Sequence, residues 1–113
     1  MRDVLVILVL ILAVGGFWLF KRADISPERA RELIKQGGLL LDVRSPGEFA
    51  SGHLDGARNV PIGEIGQHTS ELGDSSRPIV VYCASGARSA MAKRTLRSAG
   101  FSSVYNLGAM SNW

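Results

Sequence analysis

Residues 4–20 read VLVILVLILAVGGFWLF, seventeen consecutive positions with no charge and no strongly polar side chain. A helix with no polar face has no side to show to water, so this run does not fit an ordinary soluble domain. At a rise of ~1.5 Å per residue it spans roughly 25 Å, slightly short of a ~30 Å hydrocarbon core. Phe17, Trp18 and Phe20 form an interfacial belt at one end, and Lys21 and Arg22 can snorkel outward. The shortfall is then met by these flanks or by local thinning of the bilayer. The expectation is one transmembrane helix, with residues 1–22 as the membrane segment and its flanks. Ala13-Val14-Gly15 has the small-x-small pattern of a cleavable signal, which would leave a periplasmic domain as the alternative. The bulky residues 17–20 continue past that point and favour an uncleaved anchor. Only Arg2 precedes the run, whereas Lys21, Arg22, Arg29, Arg31 and Lys35 follow it. That asymmetry places the rest of the chain on the cytoplasmic side of a bacterial inner membrane.

What remains of the 113 residues, 23–113, suffices for one domain near the lower size limit for a useful core. The net charge of +3 is concentrated around the apolar run, because Arg2, Lys21 and Arg22 face only Asp3 there. From residue 23 onward, ten Lys or Arg stand against nine Asp or Glu. A nucleic-acid binder shows a concentrated basic face, so that class is set aside. A single cysteine, Cys83, excludes an internal disulfide framework and argues against a structural zinc site. A lone cysteine is by default a small buried hydrophobe, unless its neighbours dictate otherwise.

Ser26-Pro27-Glu28 predicts a helix start, with Ser26 as N-cap, and the helix runs to Gln36 before Gly37-Gly38. Leu39-Leu40-Leu41-Asp42-Val43 and Ile79-Val80-Val81-Tyr82 are continuous apolar runs, as strands buried on both faces require. Ser45-Pro46-Gly47 opens a short helical turn with Glu48 and Phe49, and a brief strand is expected near Arg58-Asn59-Val60. The stretch from Ile62 to about Leu72 reads as a short helix and loop, Ser89 to Ala99 as a helix, and Val104 to Leu107 as a last strand. Strands alternating with helices give an α/β fold around a parallel sheet.

Between the second buried strand and its helix lies Cys83-Ala84-Ser85-Gly86-Ala87-Arg88-Ser89. In open α/β sheets, sites form at the carboxyl ends of strands. Small residues at 84–87 allow successive N–H groups to turn inward on the sulfur as an anion-binding nest. The helix N-terminus adds partial positive charge and Arg88 a full one. All three favour thiolate over thiol. The competing reading is an inert buried cysteine beside a glycine-containing turn, and the arginine five residues on weighs against it.

The loop CASGARS resembles the C-x-x-G-x-R active-site loop of rhodanese-type sulfurtransferases. Residues 39–61, LLLDVRSPGEFASGHLDGARNVP, are similar to that family's upstream signature, and residues 100–113, GFSSVYNLGAMSNW, to its closing strand. The resemblance implies a five-stranded parallel sheet flanked by helices. It implies that Cys83 takes a sulfur from a small anionic donor such as thiosulfate, holds it as a persulfide, and passes it to cyanide or another thiol. By the same carry-over Arg88 binds the donor, and the N–H groups of Ala84, Ser85, Gly86, Ala87, Arg88 and Ser89 stabilise the persulfide. No metal and no cofactor is implied. Asp42, Arg44, Glu48 and His53 also match the signature but read as structural, with Arg44 placed to pair with Glu48. No general base is needed once the thiol is ionised.

Cysteine-dependent phosphatases also use a strand–loop–helix, but they require C-x5-R. Here Arg88 gives C-x4-R, one residue too short to wrap a phosphate. A different class is a rhodanese-like binding module that docks on a membrane protein complex without turnover. Retention of Cys83 favours the enzyme.

Overall fold

The computed structural model describes residues 2–113, with the backbone alone for residues 17–21. Helix α1, Arg2–Lys21, carries the apolar run. Its side chains from Val4 to Leu12, and Val14, are 51–74 % exposed, so none of these belongs to the core. Residues 4–16 of the expected transmembrane segment are thus helical and exposed. Among the described residues, however, no helix is long and apolar enough to cross a membrane.

The domain proper starts with α2, Pro27–Lys35. Ser26 caps it, its hydroxyl accepting from the Arg29 N–H at 3.1 Å, and Pro27 fills the first turn, where no N–H is needed. Then follow β1 (Leu39–Asp42), α3 (Pro46–Ala50), β2 (Arg58–Asn59) and α4 (Ile65–His68, flanked by 3-10 turns). Strand β3 (Ile79–Cys83), α5 (Ala87–Ser98) and β4 (Val104–Ala109) complete the fold. The strands are all parallel, in the order β2-β1-β3-β4.

Alternation along the two central strands divides the core into two faces. Leu39, Leu41, Ile79, Val81 and Cys83 point towards Ile65, Ala92 and Leu96 of α4 and α5. Leu40, Val80 and Tyr82 point to the opposite face, against Ala30 and Leu33 of α2. Helices cover both sides, so β1 and β3 are buried at every position, and their sequences read as unbroken apolar runs.

The expectation of five strands is corrected to four among the described residues. At the open edge of β4, residues 23–25 occupy the place of a fifth strand without forming one. Asp24 N–H donates to the Asn106 carbonyl at 2.9 Å, but the Asn106 N–H donates to the Asp24 carboxylate at 2.7 Å. A side chain therefore stands where a second backbone acceptor would sit, and Pro27 starts α2 before pairing can extend. Lys93 of α5 also bonds the Asp24 carboxylate, which fixes the segment to the domain. Gly108, at φ +84°, lies in the left-handed region, and a Cβ there would sit 3.0 Å from the Asn112 amide nitrogen.

Beside the carboxyl end of β3, β4 carries a bulge. Val81 pairs with Asn106 but Tyr82 pairs with Gly108, which leaves Leu107 extra. The Asn106 carboxamide oxygen accepts from the Gly108 N–H at 2.8 Å, and the Asn112 amide donates to the Leu107 carbonyl at 2.9 Å. The interrupted ladder is thereby satisfied at the strand end next to the cysteine.

Candidate active site

Cys83 is the last residue of β3 and is fully buried. The chain leaves the strand through exposed Ala84 and Ser85 and reaches Gly86 at φ +101°, a left-handed conformation that glycine adopts without steric cost. That turn starts α5 at Ala87, two residues before the expected Ser89. Gly86 is the N-cap but has no side chain to cap with, and the cysteine sulfur takes over that role. Sγ accepts from the Gly86 N–H at 2.9 Å and from the Ser89 N–H at 3.4 Å, while the Ser89 hydroxyl lies 3.3 Å away. The Ser89 N–H is one of the first-turn donors that a helix cannot satisfy internally. An anion on the sulfur satisfies it and faces the positive end of the helix.

Burial pushes the Cys83 thiol up. The Ser89 hydroxyl and the N–H groups of Ser89, Gly86 and Ser85 together outweigh it and hold the thiol below its ordinary value. The lowering thus comes chiefly from hydrogen bonds, with the loop N–H groups in the place expected for a nest. Of the sequence-predicted site residues, Ser85, Gly86 and Ser89 act on the sulfur in this way.

Arg88, expected to bind the donor, stands in the first turn of α5. Its guanidinium is paired with Glu48 of α3, Nη1 to Oε1 at 2.6 Å and Nη2 to Oε2 at 3.0 Å. The Arg88 guanidinium, with help from the Ser45 N–H, lowers the Glu48 carboxyl to about 2, and Glu48 in turn raises Arg88. Glu48 is held from behind as well, in a capping box with Ser45. Its Oε1 accepts from the Ser45 N–H at 3.2 Å and the Ser45 hydroxyl at 3.0 Å, while Ser45 Oγ accepts from the Glu48 N–H.

The expected Arg44–Glu48 pair is therefore corrected. Arg44 turns back on Asp42, with Nη2 to Oδ2 at 2.7 Å and Nε 3.1 Å from both carboxylate oxygens. Its Nη2 also reaches the Gly52 carbonyl, and its guanidinium lies 5.8 Å from the Tyr82 ring centroid. Both partners are buried at the end of β1. His53 stacks on Phe49, centroids 3.6 Å apart, and its Nδ1 lies 2.8 Å from the Phe49 carbonyl, which makes it part of the loop's structure. Sequence reasoning missed the reach of Glu48 to the site. The Ser45-x-x-Glu48 spacing is that of a capping box, but nothing local announces a partner forty residues away.

An open parallel sheet with one thiol at a strand end, bonded by loop N–H groups and a helix start, defines a protein that stabilises negative charge on sulfur. The family model for the rhodanese-like domain matches residues 26–113. Thiosulfate sulfurtransferase GlpE of Ectopseudomonas mendocina (strain ymp) is 37 % identical over 95 residues, which cover 83 % of this chain and 84 % of GlpE. Protein YqhL of Bacillus subtilis (strain 168), itself uncharacterized, is 41 % identical over 75 residues, 66 % of this chain and 59 % of YqhL. The chain thus spans less than two thirds of that relative's length. Human single domain sulfurtransferase TSTD1 superimposes with a TM-score of 0.72 at 27 % identity, covering 81 % of this chain and 95 % of that one. The chain belongs to the rhodanese-like sulfurtransferase family.

Proposed function

We propose that this protein transfers sulfane sulfur from a donor such as thiosulfate or a persulfide to a thiophilic acceptor through a persulfide on Cys83. The observation that carries this reading is the sulfur's own surroundings: two N–H groups and a hydroxyl within 3.4 Å, on a thiol held below its ordinary value. In the first half-reaction the Cys83 thiolate attacks the outer sulfur of thiosulfate. A Cys83 S–S bond forms, the donor's S–S bond breaks, and sulfite leaves with the electron pair. In the second, cyanide or a thiolate attacks the outer sulfur of the persulfide and the Cys83 thiolate is released. The N–H groups around Sγ are proposed to serve the persulfide as well, with Arg88 in the first turn of α5 as the donor's partner. Relatives that carry the name thiosulfate sulfurtransferase support thiosulfate as a donor.

Mass spectrometry of the purified protein after treatment with excess thiosulfate tests the mechanism. A gain of one sulfur atom on Cys83, lost again on adding cyanide, is expected. A thiol unchanged throughout would overturn it and leave a binding module without turnover.

Residues 4–20 are proposed to hold this domain at a bacterial inner membrane, on its cytoplasmic side. Supporting this are the uncovered apolar side chains of α1 and the basic residues that follow it. The full chain is expected to float with membranes in a density gradient and a chain lacking residues 1–22 to stay in the soluble fraction. Full-length protein in the soluble fraction refutes the anchor.

A further inference from the structure

Arg88 is the cation expected to receive an anionic donor, yet Glu48 already occupies two of its N–H donors in a fork-to-fork pair. Glu48 is fixed in that position by Ser45. The pair sets a carboxylate against the guanidinium that interacts electrostatically with Cys83.

A dianion such as thiosulfate must either displace Glu48 from Arg88 or bind against its repulsion. An organic persulfide, R–S–SH, presents its outer sulfur with no oxyanion attached and needs no guanidinium. We propose that Glu48 is a specificity-determining residue that weakens dianionic donors at Cys83 and directs the site to persulfides of low charge, a proposal that rests on the sulfur-transfer reading above. In the favoured step the Cys83 thiolate attacks the outer sulfur of R–S–SH. The new S–S bond forms as the donor's breaks, R–S⁻ leaves with the electron pair, and the proton stays on the transferred sulfur.

The test compares full-length wild type with Glu48→Gln, in detergent, loading Cys83 from thiosulfate or from cysteine persulfide. Glutamine keeps an acceptor for the capping box and removes the charge. The thiosulfate rate constant is expected to rise about fivefold through tighter donor binding, and the cysteine persulfide constant to stay within about twofold. Adding Arg88→Ala to Glu48→Gln should abolish the gain. A fall with thiosulfate, or an equal change with both donors, would make Glu48 a mere support for Arg88 and overturn the proposal. Wild type that loads from neither donor would instead bring down the sulfur-transfer reading, so the two failures are distinguishable.

Discussion

Replacing Ser89 with alanine isolates one of the groups that hold Cys83 ionised. The Ser89 hydroxyl lies 3.3 Å from Sγ and 3.1 Å from the Gly86 carbonyl, but it has a single proton to give. With the thiol neutral, that proton goes to Gly86 and the S–H can donate to Oγ. With the thiolate formed, the proton turns to Sγ. The turn costs little, because the Gly86 carbonyl still accepts from the Ala90 N–H at 3.1 Å. A hydrogen bond to a charged group is worth about 1.5–3 kcal/mol, and the weaker bond to the neutral thiol offsets roughly 0.5–1 kcal/mol of it. The net of about 1.4 kcal/mol is roughly a tenfold loss of thiolate at a pH below the titration. The more basic sulfur is also the better nucleophile, which recovers about threefold. Ser89→Ala should therefore react about threefold more slowly on the acidic limb of the pH profile, and no more slowly on the alkaline limb. Ultraviolet titration of the thiolate is unambiguous in a chain with one cysteine, and the loading rate against pH gives the second readout. A titration that does not move upward, or two limbs lowered by the same factor, would refute the reasoning and reduce Ser89 to packing.

Asp42→Ala leaves the Arg44 guanidinium buried without its counter-charge, and urea unfolding should report a loss of about 3–5 kcal/mol. A loss below about 1 kcal/mol would mean the pair behaves like a surface one. Tyr82 gives an alkaline prediction. Burial pushes its hydroxyl up to about 12 from 10.0, so its contribution is complete below pH 10 and is lost as pH rises through 12. The folded state should forfeit about 2–3 kcal/mol across that window, and Tyr82→Phe should remove this part of the pH dependence. At neutral pH that variant costs about 1–3 kcal/mol, for the Leu54 N–H that the Tyr82 oxygen accepts at 3.0 Å and for the hydroxyl's bond to Asp42. Parallel alkaline curves for the two proteins would count against it.

What could be read from the sequence, and what could not, divides along one physical line. Strands β1 and β3 were legible because burial on both faces leaves no polar position to interrupt them. The starts of α2 and α3 were legible because a serine cap and a following proline act within four residues. The start of α5 was misplaced because its cap is a cysteine sulfur, reached only through the left-handed turn at Gly86. The fifth strand was miscounted because the Asp24 carboxylate replaces a backbone acceptor across eighty-two residues. The ion pairs make the same point more sharply. Glu48 stands four residues from Arg44 and forty from Arg88, and sequence distance favours the nearer partner. Burial decides otherwise. Arg44 lies at the closed end of β1, 6 % exposed, where an unpaired guanidinium would be costly and the fully buried Asp42 is already in reach. Glu48 is then left to the half-exposed guanidinium of α5, and that allocation puts a carboxylate on the arginine that interacts electrostatically with the reactive sulfur.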